Sequence, residues 1–127
     1  MNEGRVYKFE QLNAWQKARV LTQAIYRITQ KTRFSGDLDL SRQLRRSAIS
    51  IMSHVAEGFE RGGRAEFHQF ISIAKASCAE LRSQLYIAKD AGHLKDEEFQ
   101  AVHATAEEVG KILSGLRVAV AKQRDRQ

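Results

Sequence analysis

The chain has 127 residues, one cysteine and no proline, with 43% hydrophobic and 28% charged residues. That length and balance fit one globular domain with a core of its own, and a lone Cys78 excludes an internal disulfide or a multi-cysteine metal site. The net charge of +6 is lopsided: residues 1–46 hold ten Lys/Arg against four Asp/Glu, and the remainder balances to zero. A one-sided positive field favours an anionic partner such as RNA, DNA or a membrane surface, against the alternative of a merely soluble basic surface. The polar start Met1-Asn2-Glu3-Gly4-Arg5 has no apolar stretch of the signal-peptide kind, and no apolar run nears membrane-spanning length, so a cytoplasmic protein without membrane association is expected.

Four helices are predicted from apolar spacing, at about residues 12–33, 38–61, 64–91 and 96–122. In the first, Ala14, Ala18, Leu21, Ile25, Ile28 and Thr32 follow steps of four and three, with Gln16, Arg19, Gln23, Arg27 and Gln30 on the polar side. Gly36 reads as a helix stop and Asp37 as an N-cap for the second helix. That helix carries two stripes, Leu44/Ala48/Ile51/Val55 and Ile49/Met52/Ala56/Phe59. Two stripes make an arc wider than one core face needs, so the second is expected in the core or between subunits.

Gly62-Gly63 ends the second helix, and Gly63 with Glu66 reads as a capping box that lacks the usual hydroxyl. The third helix repeats Phe67, Ile71, Ala74, Cys78, Leu81, Leu85 and Ala88, and Gly92 is placed to close it. The fourth repeats Phe99, Val102, Ala106, Val109, Leu113, Leu116 and Val120, with Asp96, Glu97 and Glu98 in its first turn, where the helix dipole favours acids. Short glycine-containing connections and helices of this length give an all-α, antiparallel up-down four-helix bundle as a single domain over 1–127.

Catalytic and metal chemistry is not expected. The histidines His54, His68, His93 and His103 form no HExxH, and only His93 has an acid three residues earlier. Arg61-Gly62-Gly63-Arg64 lacks the lysine and the preceding strand of a phosphate loop, and no GxSxG occurs. No enzyme and no cofactor are therefore anticipated; a small enzyme is the least favoured of three readings.

Two constellations remain. Gln43, Ser47, Ser50, His54, Glu57 and Arg61 share one side of the second helix, as a hydrogen-bonded seam between helices or subunits, or as a ligand site. Arg42, Arg45 and Arg46 crowd the start of the same helix. With Lys17, Arg19 and Arg27, and the tail residues Arg124 and Arg126, they make the candidate phosphate-binding set. The alternative for these arginines is ion pairing with Asp37, Asp39 or another subunit. Aromatic residues are few, so single-strand readout by base stacking is not expected.

The residues Phe9-Glu10-Gln11-Leu12-Asn13-Ala14-Trp15-Gln16, Ile25-Tyr26-Arg27-Ile28-Thr29, Gln43 to Ile51, Ala56-Glu57-Gly58-Phe59 and Arg61 together carry a resemblance, continued by Glu66-Phe67, Phe70, Ile73-Ala74, Ser77, Glu80-Leu81 and Gln84-Leu85. The chain resembles the bacterial 23S rRNA intervening-sequence proteins over roughly residues 9–94, the fourth helix fitting by pattern only. It departs from that family at Ser35 and Met52, where proline is usual, at His54, where asparagine is usual, and at Gly63, where serine is usual. The resemblance implies a four-helix protomer assembled as a homopentameric ring. A similar architecture serves as the accessory protein of diversity-generating retroelements, which binds nucleic acid and a reverse transcriptase. The preferred expectation is a non-enzymatic, homo-oligomeric RNA- or DNA-binding protein. The runner-up is an oligomeric protein-interaction scaffold, such as an accessory subunit of a retroelement reverse transcriptase.

Overall fold

The structure, a computed structural model, describes residues 5–123. A 3-10 turn at Phe9–Gln11 leads into α1 (Asn13–Thr29), followed by α2 (Leu38–Glu60), α3 (Arg64–Asp90) and α4 (Asp96–Lys122), and no strand occurs among the described residues.

The apolar stripes form the core. Ala18, Leu21 and Ile25 of α1, Leu44, Ala48, Ile51 and Val55 of α2, Ile71 to Ala88 of the α3 stripe, and Ala106, Val109 and Leu113 of α4 are fully buried. Cys78 lies among them, and its Sγ donates to the Ala106 carbonyl at 3.2 Å. Burial raises the pKa of that thiol and keeps it protonated and inert.

Pairs across the helices give the topology. Thr29 of α1 meets Arg45 of α2 while Thr22 meets Ala48, and Ser47 of α2 meets Gln84 of α3 while Arg61 meets Glu66. Lys89 of α3 meets Asp96 at the start of α4, and Lys17 near the start of α1 meets Glu108 of α4. Each helix is antiparallel to the next, and α4 closes back on α1, which is the up-down bundle.

At one crossing the backbone itself sets the spacing. A Cβ on Gly58 would stand 2.5 Å from Cβ of Phe70, so α2 and α3 touch there only because position 58 is glycine.

The first helix is shorter than its periodicity predicts. It ends at Thr29, Lys31 is extended at φ −72° and ψ 151°, and Thr32–Phe34 forms a 3-10 turn. The break lets Phe34 turn into the core at 1% exposure, whereas Thr32, the predicted stripe residue, is exposed. It also delivers Lys31 and Arg33 to Glu98 of α4.

Two of the predicted glycine stops hold and one does not. Gly62 and Gly92 sit at φ +83° and +82°, where side chains are strained. The Gly92 and His93 amides close α3 on the carbonyls of Lys89 and Ala88. Gly36 has no positive φ and lies well past the end of α1. Asp37 does cap α2, accepting from the Leu40 amide at 3.2 Å. At Gly63 no side-chain cap bond forms, and Glu66 accepts from Arg61 instead.

Candidate nucleic-acid interface

The first turns of α2 place Arg42, Arg45 and Arg46 at spacings of three and four, so they share one flank of the helix. Arg45 is braced: its Nε donates to Thr29 Oγ1 at 2.8 Å and its guanidinium lies 4.4 Å from the Tyr26 ring centroid. Stacking and a hydrogen bond hold the planar fork in place. Arg42 and Arg46 are exposed and make no ion pair among the described residues. The nearby acids are engaged elsewhere. Asp37 takes the Leu40 amide and His93 Nε2 (3.0 Å), and Asp39 takes Gln43 (3.4 Å). The His93 hydrogen bond, then the Leu40 amide, hold the Asp37 carboxyl below its ordinary pKa.

The three arginines, with Ile49, Ser50 and His54, line a shallow groove of about 400 Å³ on the outer side of α2. Ile49 is 44% exposed. Met52, Ala56 and Phe59 of the same stripe are half-buried, Met52 and Phe59 against the core.

The polar line runs along the α2–α3 crossing inside one protomer. Ser47 is buried and donates to Gln84 Oε1 at 3.0 Å; Ser50 Oγ lies 2.8 Å from Ser77 Oγ. His54 Nδ1 is 2.8 Å from the Ser50 carbonyl, so that nitrogen carries the hydrogen and donates. This orientation withholds Nδ1 from acting as a base on the Ser50 hydroxyl, 3.1 Å away. The ends of the line are exposed: Gln43 bonds Asp39, and Arg61 pairs with Glu57 (3.3 Å) and Glu66 (3.4 Å) over the Phe70 ring. Within it Ser47 alone is buried, while Ser50 and His54 are half-buried and also line the arginine groove.

The rest of the basic set is divided by the fold. Arg27 is exposed next to the Tyr26 that supports Arg45. Arg19 lies over the Trp15 ring at 5.8 Å. Lys17 is carried to the α4 side, 3.7 Å from Glu108. Arg124 and Arg126 lie outside the described residues. Sequence reasoning missed the sink for charge at Glu98, which takes Lys31 and Arg33 and the Lys95 amide at 2.9 Å. The Lys31 hydrogen bond, then the Lys95 amide, push its pKa down to about 2. The acids of α4's first turn were visible in the sequence, but their partners lie more than sixty residues away.

No group of three His, Cys, Asp or Glu able to hold a metal ion occurs among the described residues. No described helix is long and apolar enough to cross a membrane. The groove presents two guanidinium groups without an ion pair among the described residues and a third held in place, a set of donors whose chemistry suits an anion.

The model of the 23S rRNA-intervening sequence proteins matches residues 10–115. The chain belongs to the 23S rRNA-intervening sequence protein family. The matched span takes in α1 to α3, the arginine groove and most of α4, further than the residues that carried the resemblance, and it leaves out the tail arginines. Among solved structures, a protein with unknown function from the S23 ribosomal protein family of Bacteroides thetaiotaomicron superposes with a TM-score of 0.75 at 20% identity, over 82% of this chain and 97% of that one. At that identity the likeness shows the shared four-helix fold. No curated protein matches the chain.

Proposed function

We propose that this intervening-sequence protein is a non-enzymatic, homo-oligomeric nucleic-acid-binding protein whose α2 groove holds backbone phosphates. The observation that carries the reading is the pairing pattern. Of the described basic residues of the first third, Lys17, Lys31 and Arg33 meet acids of α4, while Arg5, Lys8, Arg19, Arg27, Arg42, Arg45 and Arg46 make no ion pair among the described residues, and of these Arg42, Arg45 and Arg46 share one groove. Such contacts go to phosphate and carry little base information. The family membership is consistent with RNA as the ligand and with a homopentameric ring as the assembly.

The test is binding to structured RNA and duplex DNA across a salt series, with mass in solution measured in the same buffer. Affinity falls steeply with salt, and Arg42→Gln/Arg46→Gln removes two phosphate contacts, which lowers the logarithmic salt slope by about 0.7–0.9 per arginine. No binding at low salt sinks the reading.

Ile49 in the groove favours a second reading, in which the same surface docks a protein, such as a reverse transcriptase, as a scaffold. A double variant that keeps RNA affinity and oligomeric mass but loses a protein partner would select it.

A further inference from the structure

A second groove, of about 420 Å³, lies on α1 and is lined by Glu10, Trp15, Gln16, Arg19, Val20 and Gln23. Its parts are those that recognise a nucleotide: an aromatic face, a guanidinium, two amides and a carboxylate. The half-buried indole packs against the core and meets Phe9 edge-on at 5.2 Å, and the Arg19 guanidinium lies over its ring, 5.8 Å from the centroid. Gln16 Nε2 donates to the Glu10 carbonyl at 2.9 Å, which leaves its Oε1 as an acceptor. Val20 is 49% exposed beside the ring and gives the groove an apolar wall.

The groove is also connected to the arginines. Trp15, Arg19, Thr22 and Tyr26 follow steps of four, three and four along one edge of α1; Thr22 bonds the Ala48 carbonyl of α2, and Tyr26 lies under Arg45. From Trp15 to Tyr26 is about 16 Å at 1.5 Å per residue, the reach of a few nucleotides.

We propose that this groove takes an unpaired nucleobase that replaces Arg19 over the Trp15 ring, the displaced guanidinium turning to the adjoining phosphate. The Glu10 carboxylate repels phosphate and accepts from the base edge, so base and phosphate enter with a set polarity. The ligand class is a single-stranded nucleic acid, because a duplex keeps its bases paired and stacked inside. This rests on the nucleic-acid reading of the arginine groove and adds the stacking site that the scarcity of aromatic residues argued against.

Trp15 is the chain's one tryptophan, so its emission reports this groove alone. The experiment titrates wild-type protein with a single-stranded twelve-nucleotide oligoadenylate and with a twelve-base-pair RNA duplex, following Trp15 emission and the anisotropy of the labelled RNA together. The single strand is expected to quench Trp15 about twofold and the duplex to leave it unchanged. Trp15→Leu should weaken single-strand binding by about tenfold, the scale of one base–aromatic stack. Trp15→Phe should restore most of that loss, and duplex affinity should move less than twofold in both variants. Single-strand binding by anisotropy with unchanged emission overturns the subsite and leaves the arginine groove standing. Binding of neither RNA overturns both. Should Trp15→Leu not fold, the wild-type titration still decides.

Discussion

Gly58 shows how much one missing carbon controls. In mid-helix, glycine to alanine gains about 1 kcal/mol of helix propensity. Here the new Cβ would meet Cβ of Phe70 at 2.5 Å and its Cγ at 3.1 Å, and that Cβ is fixed to the backbone of α3 and cannot swing away. Forced overpacking costs about 1–3 kcal/mol and outweighs the propensity gain. Gly58→Ala is therefore expected to lower stability by up to about 2 kcal/mol in urea unfolding; a variant more stable than wild type would show that the two helices slide apart freely. Arg45 makes the complementary point. Its position beside Arg42 and Arg46 was legible from spacing, but its brace was not, because Thr29 and Tyr26 lie on another helix.

At the scale of elements, the two loops at one end of the bundle are tied together. Arg33 donates to the His93 carbonyl at 3.1 Å, Phe34 packs on the His93 ring at 5.1 Å, and Asp37 takes His93 Nε2. Glu98 adds the clamp to Lys31 and Arg33. Its folded pKa, about 2, lies below the ordinary value of 4.5, so between these values the unfolded chain binds more protons. Stability from this clamp is complete above pH 4.5 and is lost as pH falls toward 2. Glu98→Gln should cost about 1 kcal/mol at neutral pH, as an ion pair open to solvent does. It should also flatten the fall of the urea midpoint between pH 5 and pH 2.5, roughly the span over which the carboxyl protonates. An unchanged slope would show that Glu98 is as readily protonated folded as unfolded.

For the whole molecule, the question is what covers the outer side of α2. A stripe with Ile49 exposed and Met52, Ala56 and Phe59 half-buried is more apolar than a solvated helix flank requires. In the proposed ring the Met52, Ala56 and Phe59 end of this stripe faces a neighbouring copy, and Ile49 stands at the edge of that contact, where the arginine groove stays open. Ile49→Asp, a change at an exposed position with little effect on the protomer's own core, should then shift the mass in solution toward the monomer by at least tenfold in dissociation constant, about 1.4 kcal/mol. Unchanged mass by light scattering at micromolar concentration would place the interface elsewhere or remove the ring.

The four helices, their order and most of their ends follow from the sequence by itself, because apolar steps of four and three, Asp37 as a cap, and Gly62 and Gly92 as stops act over a few residues. The early end of α1 does not follow, because the gain from burying Phe34 and reaching Glu98 comes from the rest of the fold. The same holds for the candidate site. Composition counted a basic first third, but only the tertiary structure decided which of those charges are spent on α4 and which stay free. An ion pair forms between side chains that meet in space, and Glu98 and Glu108 reach their partners from the far end of the chain. The Trp15 groove is likewise a product of packing: Phe9 and Glu10 reach the ring's side of α1 only because the 3-10 turn folds back on the helix.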